Sequence, residues 1–184
     1  TLSDFDNVKI INSDVLKTDL HKLICEEFGE KKISVAANLP YYITTPIITR
    51  LLEEKLNIKN IVVMVQKEVA RRMQAKPSTK DYGAITLLCR YYTKPSIVTD
   101  VPAGLFVPPP KVDSAVLKLE ILPEPSVKVL DEKTFFKTVR AAFSQRRKTL
   151  LNCLSASFPI PKEILSQILI SADIEPSRRG ETLD

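Results

Sequence analysis

Ile33-Ser34-Val35-Ala36-Ala37-Asn38-Leu39-Pro40-Tyr41 is an uncharged run that stops on an amide, a proline and an aromatic ring, and its flanks decide the fold. Ile33 to Ala37 reads as a strand inside a sheet, and Asn38, Leu39 and Pro40 end it. Thr44, Thr45 and Pro46 then give an N-cap and first-turn signature. Ile47, Ile48, Leu51 and Leu52 follow at helical spacing. Ile61 to Val65 is continuous and mostly β-branched, as a strand covered on both faces would be. Strand, helix and strand in this order argue an α/β fold with a parallel sheet.

The reading extends outward from there. Upstream, Val8 to Ile11 is a strand-like run ending in the polar turn Asn12, Ser13, Asp14, and Leu20, Leu23, Ile24 and Phe28 recur at helical spacing. Downstream, helical stretches fall around Glu68 to Gln74 and Gly83 to Tyr92. Ser96 to Val101 and Ser114 to Ile121 are strand-like, the second alternating Leu117, Leu119 and Ile121 with Lys118 and Glu120, so that one face meets water. Pro102, Gly104, Pro108, Pro109 and Pro110 leave no room for a helix between them, which predicts an antiparallel pair at the sheet edge. Leu122 to Leu130, with Pro123 and Pro125, reads as a linker. Only helices follow: Asp131 to Phe143 with Phe136, Val139 and Phe143 on one face, a segment near Lys148 to Ser155, and Pro161 to Ala172 with Ile164, Leu165, Ile168 and Leu169 inward. The expected organisation is an α/β domain over residues 1–122 and a small all-α domain over residues 123–184.

Composition bounds the chemistry. A chain of 184 residues with 44% hydrophobic content can bury a core. It holds only 4 glycines against 13 prolines, where average usage would give roughly a dozen glycines. Gly29, Gly83, Gly104 and Gly180 stand apart, so neither G-x-G-x-x-G nor a P-loop is present. The 27 Lys and Arg against 22 Asp and Glu, with pI near 9.1, suit a polyanionic partner. Cys25, Cys89 and Cys153 are few and far apart in apolar surroundings, which predicts buried thiols in a reducing, cytoplasmic setting. No run approaches the roughly 18 apolar residues of a membrane span, so no membrane partner is expected. With His21 the lone histidine, read as a surface residue, and no clustered cysteine, neither a zinc site nor a catalytic triad is expected.

Asn38 to Tyr41 carries the most specific chemical signal. At the carboxyl end of a parallel strand the backbone opens into the crevice where α/β proteins bind ligands. Pro40 removes a donor and leaves nearby carbonyls facing that crevice. Asn38 adds a side-chain carbonyl and Tyr41 a flat face for stacking. Two acceptors holding both hydrogens of an adenine amine would favour its pyramidal form and aim its lone pair at an electrophile. The plain alternative is a strand-to-helix turn with an Asn cap.

Asn38 to Tyr41 resembles the NLPY motif of S-adenosylmethionine-dependent rRNA adenine N6,N6-dimethyltransferases of the small-subunit type, and the likeness continues through Ile43 to Pro46. Gln66 to Val69, Tyr82-Gly83, Phe106 with Pro108 to Ala115, Phe143 to Thr149 and Asp173 to Pro176 match in the same order. The resemblance implies a Rossmann-like methyltransferase sheet followed by a helical domain. It implies S-adenosylmethionine as cofactor and, as partner, small-subunit rRNA within an immature ribosomal subunit, methylated at two adjacent adenines near its 3′ end. Asp14 would accept from the cofactor's adenine amino group, though the residue alone reads first as a turn-forming or helix-capping aspartate. Asn38 would touch cofactor and target amine, Leu39 and Pro40 would act through their backbone, and Tyr41 and Phe106 would sandwich the flipped base. Two rival readings remain: a non-catalytic RNA-binding assembly factor, and a large-subunit rRNA adenine methyltransferase of the antibiotic-resistance type.

Lys133, Lys137 and Arg140 fall on one helical face and Arg146, Arg147 and Lys148 follow, a solvated helix face or an RNA-phosphate surface. Arg71, Arg72, Lys76 and Lys80 form a second, weaker cluster. The resemblance also implies a sheet lacking its first two strands, which carry the family's glycine-rich loop and precede the position matching Thr1. On that basis the fragment is expected to be unable to bind cofactor alone, and its first thirty residues to be displaced, poorly ordered or paired with another chain.

Overall fold

In the computed structural model, residues 5–183 are described; the part of the N-terminal expectation that concerns residues 1–4 lies outside them. Four strands form one mixed sheet in the order β1 (Ile33–Asn38), β2 (Ile58–Gln66), β4 (Ser114–Ile121), β3 (Thr93–Val101). β1 and β2 are parallel, connected through α2 (Thr44–Glu53), while β4 runs antiparallel to both β2 and β3. The parallel sheet expected from the sequence is therefore parallel only at its first pair. The antiparallel edge pair is as expected, but β4 inserts between β2 and β3 because its buried Leu117 and Leu119 fill the sheet centre.

β2 corrects a second expectation. Ile61, Val63 and Val65 are buried, whereas Asn60, Val62, Met64 and Gln66 are half-buried. The core forms on the Ile61 face only, where Ile47, Ile48, Leu51 and Leu52 of α2 and Leu88 and Cys89 of α4 (Ala84–Tyr92) pack against it. α3 (Lys67–Met73) adds Ala70 and Met73.

Val8 to Ile11 forms no strand, and Ile10 is 74% exposed. β1, the partner such a strand would reach through others, has no neighbour on its outer edge among the described residues. The stretch from Asp14 to Gly29 is nevertheless not displaced. α1 (Leu20–Phe28) forms, with Asp19 accepting from Lys22 N–H at its start and Gly29, at φ 61°, closing its end. Leu20 is buried, and the Arg50 guanidinium of α2 donates to the carbonyls of Val15 (2.6 Å) and Thr18 (2.7 Å). These bonds fasten the Asp14 turn to the sheet's helical layer. Phe28 stays 50% exposed, and Cys25, expected inside, lies on α1's outer face. Cys89 and Cys153 are buried, and His21 is exposed.

The all-helical part comprises α5 (Glu132–Ala142), α6 (Leu150–Ser157) and α7 (Lys162–Ser171). α5 serves two cores. Its first turns place Phe135 and Phe136 against Tyr91 and Tyr92 of α4, the Tyr91–Phe136 pair edge-on at 5.1 Å. Its last turn gives Ala141 and Ala142 to a second cluster with Leu150, Leu154, Leu165 and Leu169. Ile164 and Ile168, expected inward, are about half exposed, at 47% and 50%, because Leu165 and Leu169 take the face toward α6. Glu132 fastens the start of α5 to the sheet's helical layer: its carboxylate receives Lys55 Nζ at 2.8 Å and the hydroxyls of Tyr91 and Tyr92 at 3.3 Å each. The Lys55 ammonium holds that carboxyl below its ordinary range. Among the described residues no helix is long and apolar enough to cross a membrane, and no cluster of His, Cys, Asp and Glu could hold a metal ion.

Candidate active site and nucleic-acid cleft

The carboxyl ends of β1, β2 and β3 meet the amino end of β4 at one end of the sheet. Asn38 lies beside Met64, Gln66 beside Ser114, and Ser114 beside Val101. Leu39 N–H makes a last rung to Met64 O at 3.4 Å, after which Pro40 has no N–H and pairing stops. The chain then turns through a single 3-10 turn, Tyr41–Ile43, directly into α2. Ile43, not a threonine, occupies the N-cap position, and the expected Thr cap is absent. Thr44 is buried instead, its hydroxyl donating back to Pro40 O at 3.1 Å beside Ile43 N–H at 3.2 Å. Pro40's carbonyl, expected to face the crevice, is thus occupied by the helix start. The Leu39 carbonyl and the exposed Asn38 amide accept no hydrogen bond among the described residues.

The two aromatic candidates are held from Ser114, the first residue of β4, and from Asp113 just before it. Tyr41 is half-buried with its hydroxyl 2.8 Å from Ser114 Oγ. Phe106, also half-buried, ends a 3-10 turn at Ala103–Leu105 whose first N–H donates to Asp113 Oδ1 at 2.9 Å. The rings of Tyr41 and Phe106 do not touch each other among the described residues. Asp14 is exposed; its Oδ1 accepts from Leu16 N–H at 2.9 Å, an Asx turn that the Arg50 clamp supports.

Beside this sheet end runs an open cleft of about 1250 Å³, from Thr45 of α2 to Arg146 and Gly180 of the helical part. Lys67, Arg71, Arg72, Lys80, Lys111 and Arg146 line it against the carboxylates of Glu68, Asp81, Asp113 and Glu181. Lys67 is paired with Asp100 at 2.6 Å and Arg146 with Glu181 at 3.3 Å. Arg71, Arg72, Lys80 and Lys111 have no ion-pair partner among the described residues, so the cleft keeps uncompensated cations that suit a polyanion. Gly83, Ala84 and Ile85, the start of α4, also line it and add the partial positive charge of a helix N-terminus.

Of the six basic residues singled out in the helical part, the fold brings only Arg146 to this cleft. Arg140 pairs with Glu53 at 3.4 Å, Lys137 lies 4.5 Å over the Phe158 ring, and Lys133 sits by Asp131 at the start of α5. Arg147 and Lys148 are exposed without a side-chain partner among the described residues. The weaker cluster of Arg71, Arg72 and Lys80 gains instead, though Lys76 does not line the cleft. Lys67 and Lys111 were missed by charge clustering because each stands alone in sequence; their only signals were their places after the β2 end and within the Pro108 to Ala115 segment.

An open α/β sheet with acceptors at its strand ends and a helical appendage defines a Rossmann-like methyltransferase fold. Two solved structures share it: a dimethyladenosine transferase from Plasmodium falciparum, with TM-score 0.72, 27% identity and coverage of 97% of this chain and 69% of that one, and the 23S rRNA methyltransferase ErmE, with TM-score 0.63, 22% identity and coverage of 100% and 70%. The chain belongs to the ribosomal RNA adenine dimethylase family, whose model matches residues 1–184. It is 53% identical over 184 residues to the ribosomal RNA small subunit methyltransferase A of Alkaliphilus metalliredigens (strain QYMF) and 56% identical over 188 residues to that of Geobacillus thermodenitrificans (strain NG80-2). In each comparison all of this chain is covered, and it spans 64% of the relative's length.

Proposed function

We propose that the protein acts in S-adenosylmethionine-dependent methylation of the N6 amines of two adjacent adenines near the 3′ end of small-subunit rRNA, docking on the immature subunit. The observation that carries this reading is the pair of open acceptors, the Asn38 amide oxygen and the Leu39 carbonyl, at the same sheet end whose Gln66 lines the basic cleft. The amine's two hydrogens go to these acceptors, which turns its lone pair outward. Tyr41 and Phe106 stack on the base; stacking worth about 1–3 kcal/mol per base offsets much of what extrusion costs. Arg71, Arg72, Lys80 and Lys111 follow the phosphates.

The described residues fit the cofactor in part. Asp14 retains acceptor capacity for an adenine amino group beyond its bond from Leu16, and Asn38 is uncommitted, but both are exposed and neither is enclosed. The cofactor would supply a methyl group already activated on a sulfonium, so Asn38, Leu39 and Tyr41 need only position the amine. The exposure of Asp14 and Asn38 also favours a second reading, in which the protein docks on RNA without catalysis.

The test adds undermethylated small subunits and labelled S-adenosylmethionine to the chain and to a version extended to the relatives' length. Asn38→Ala abolishes incorporation by the extended version while leaving RNA retention nearly intact. Equal loss of both would sink the assignment of Asn38. Retention without incorporation in both versions supports the docking reading.

A further inference from the structure

We propose that Asp113 and Ser114 are a positioning pair, which sets the two base-facing rings from one fixed point of the sheet. The inference rests on the reading of Tyr41 and Phe106 as base-stacking groups. Three loops bound the sheet end, and each is tied to these two residues. Ser114 Oγ holds the Tyr41 hydroxyl of the β1–α2 turn at 2.8 Å. Asp113 Oδ1 receives Ala103 N–H at 2.9 Å, the first residue of the turn that Phe106 ends, and Phe106 N–H donates to Ala103 O at 3.2 Å within that turn. The Asp113 carbonyl accepts from Lys67 N–H at 3.0 Å, the first residue after β2.

The anchor is built into the sheet at Ser114, with Asp113 directly before it. Ser114 is 1% exposed and sits in β4 between Gln66 and Val101, bonded into strands on both sides. A serine buried to this degree at the start of a strand offers little packing, and its hydroxyl requires a partner; the partner here is the hydroxyl of a ring reaching from 73 residues away in sequence. Tyr41 is free to swing about two side-chain torsions, and stacking needs one of those orientations. The hydroxyl bond selects it before the base arrives, which lowers the ordering cost of binding. Asp113 does the same for Phe106 through the backbone. Ser114 and Asp113 touch neither base nor cofactor in this reading; they act through the rings.

The experiment uses an RNA hairpin with two adjacent loop adenines, one replaced by 2-aminopurine, whose fluorescence reports unstacking and restacking on a ring. Filter retention of the same RNA is measured in parallel. Wild-type protein changes the fluorescence saturably. Ser114→Ala and Tyr41→Phe each reduce that change about fivefold or more, as loss of one stacking contact implies, with retention held within about twofold because the phosphate contacts remain. The double variant is no worse than either single one, and Ser114→Thr, which keeps the hydroxyl, restores the signal. Asp113→Ala reduces the change by the Phe106 route and adds to Ser114→Ala. A wild-type change that Ser114→Ala leaves intact, or additive effects of Ser114→Ala and Tyr41→Phe, overturns the proposal alone. No change with wild-type protein that nonetheless retains the RNA refutes the base-stacking reading, and the proposal with it.

Discussion

Gly180→Ala is the sharpest probe of how the two cores are joined. A Cβ built on Gly180 would lie 2.7 Å from the carbonyl oxygen of Ala142, 3.1 Å from its carbonyl carbon and 3.3 Å from its Cβ. The closest atom is backbone at the end of α5, so no side-chain rotation relieves it; the tail must move away. Glu181 follows directly, and its carbonyl receives Ser78 N–H at 2.8 Å while its carboxylate holds Arg146 at 3.3 Å. Moving the tail therefore strains its bond to the loop after α3 and its ion pair with Arg146. Overpacking of this kind costs about 1–3 kcal/mol, which for a chain of this size lowers Tm by roughly 2–12 °C. Thermal unfolding followed by circular dichroism measures it. Ala142→Gly does not rescue Gly180→Ala, because the 2.7 Å contact is to the carbonyl and not to the methyl. An unchanged Tm for Gly180→Ala, or full rescue by Ala142→Gly, would refute the reasoning.

Leu117→Ala, at a fully buried position in the middle of the sheet, destabilises by about 2–5 kcal/mol in a denaturant titration, whereas breaking the exposed Arg140–Glu53 pair (61% and 41% exposed) by Arg140→Ala costs less than about 1 kcal/mol. Glu132 has a carboxyl held below its ordinary value of 4.5, first by Lys55, so its contribution is complete above that value and lost as pH falls through the lowered one; Glu132→Gln accordingly flattens the acid limb of the stability curve. With a disulfide thiol reagent the native protein shows one fast cysteine, Cys25, while Cys153 and Cys89, the latter pushed up to about 12 by burial, react only on unfolding. Neutralising Arg71 or Lys111, which line the cleft, weakens RNA binding and lowers the salt-dependence slope by about 1 each; neutralising Arg140 leaves that slope unchanged.

Apart from Val8 to Ile11, which forms no strand, the elements were legible because their periods are local properties. Leu117, Leu119 and Ile121 alternate, and Ile47, Ile48, Leu51 and Leu52 repeat at helical spacing, whatever lies opposite. The insertion of β4 between β2 and β3 was not legible, since it depends on which strands compete for the buried Leu117 and Leu119. The same limit explains Ile164 and Ile168: periodicity marks an apolar face but not whether α6 is wide enough to cover it. Asn38 and Tyr41 stood out because proline and asparagine end a strand with a known chemical consequence. Which carbonyl stays open did not, because Thr44 takes Pro40's through a bond that no spacing rule specifies. The extent of the basic cleft was the least legible feature. Arg71, Arg72 and Lys80 were visible as a weaker group, but Lys67, Lys111 and Arg146 join them only once the chain is folded, while Lys137 and Arg140, on the helix before Arg146, turn to Phe158 and Glu53.

The central claim is that the sheet end at Asn38 to Tyr41 and Phe106 receives an adenine while the adjoining cleft carries the RNA backbone. Ultraviolet cross-linking of small-subunit 3′-end RNA to the protein, with the linked peptides identified by mass spectrometry, tests it directly. The account predicts links from loop adenines to Tyr41 and Phe106 and from flanking nucleotides to the segments holding Lys80 and Lys111. Links confined to the Lys133–Arg140 face of α5, with none at the sheet end, would contradict it.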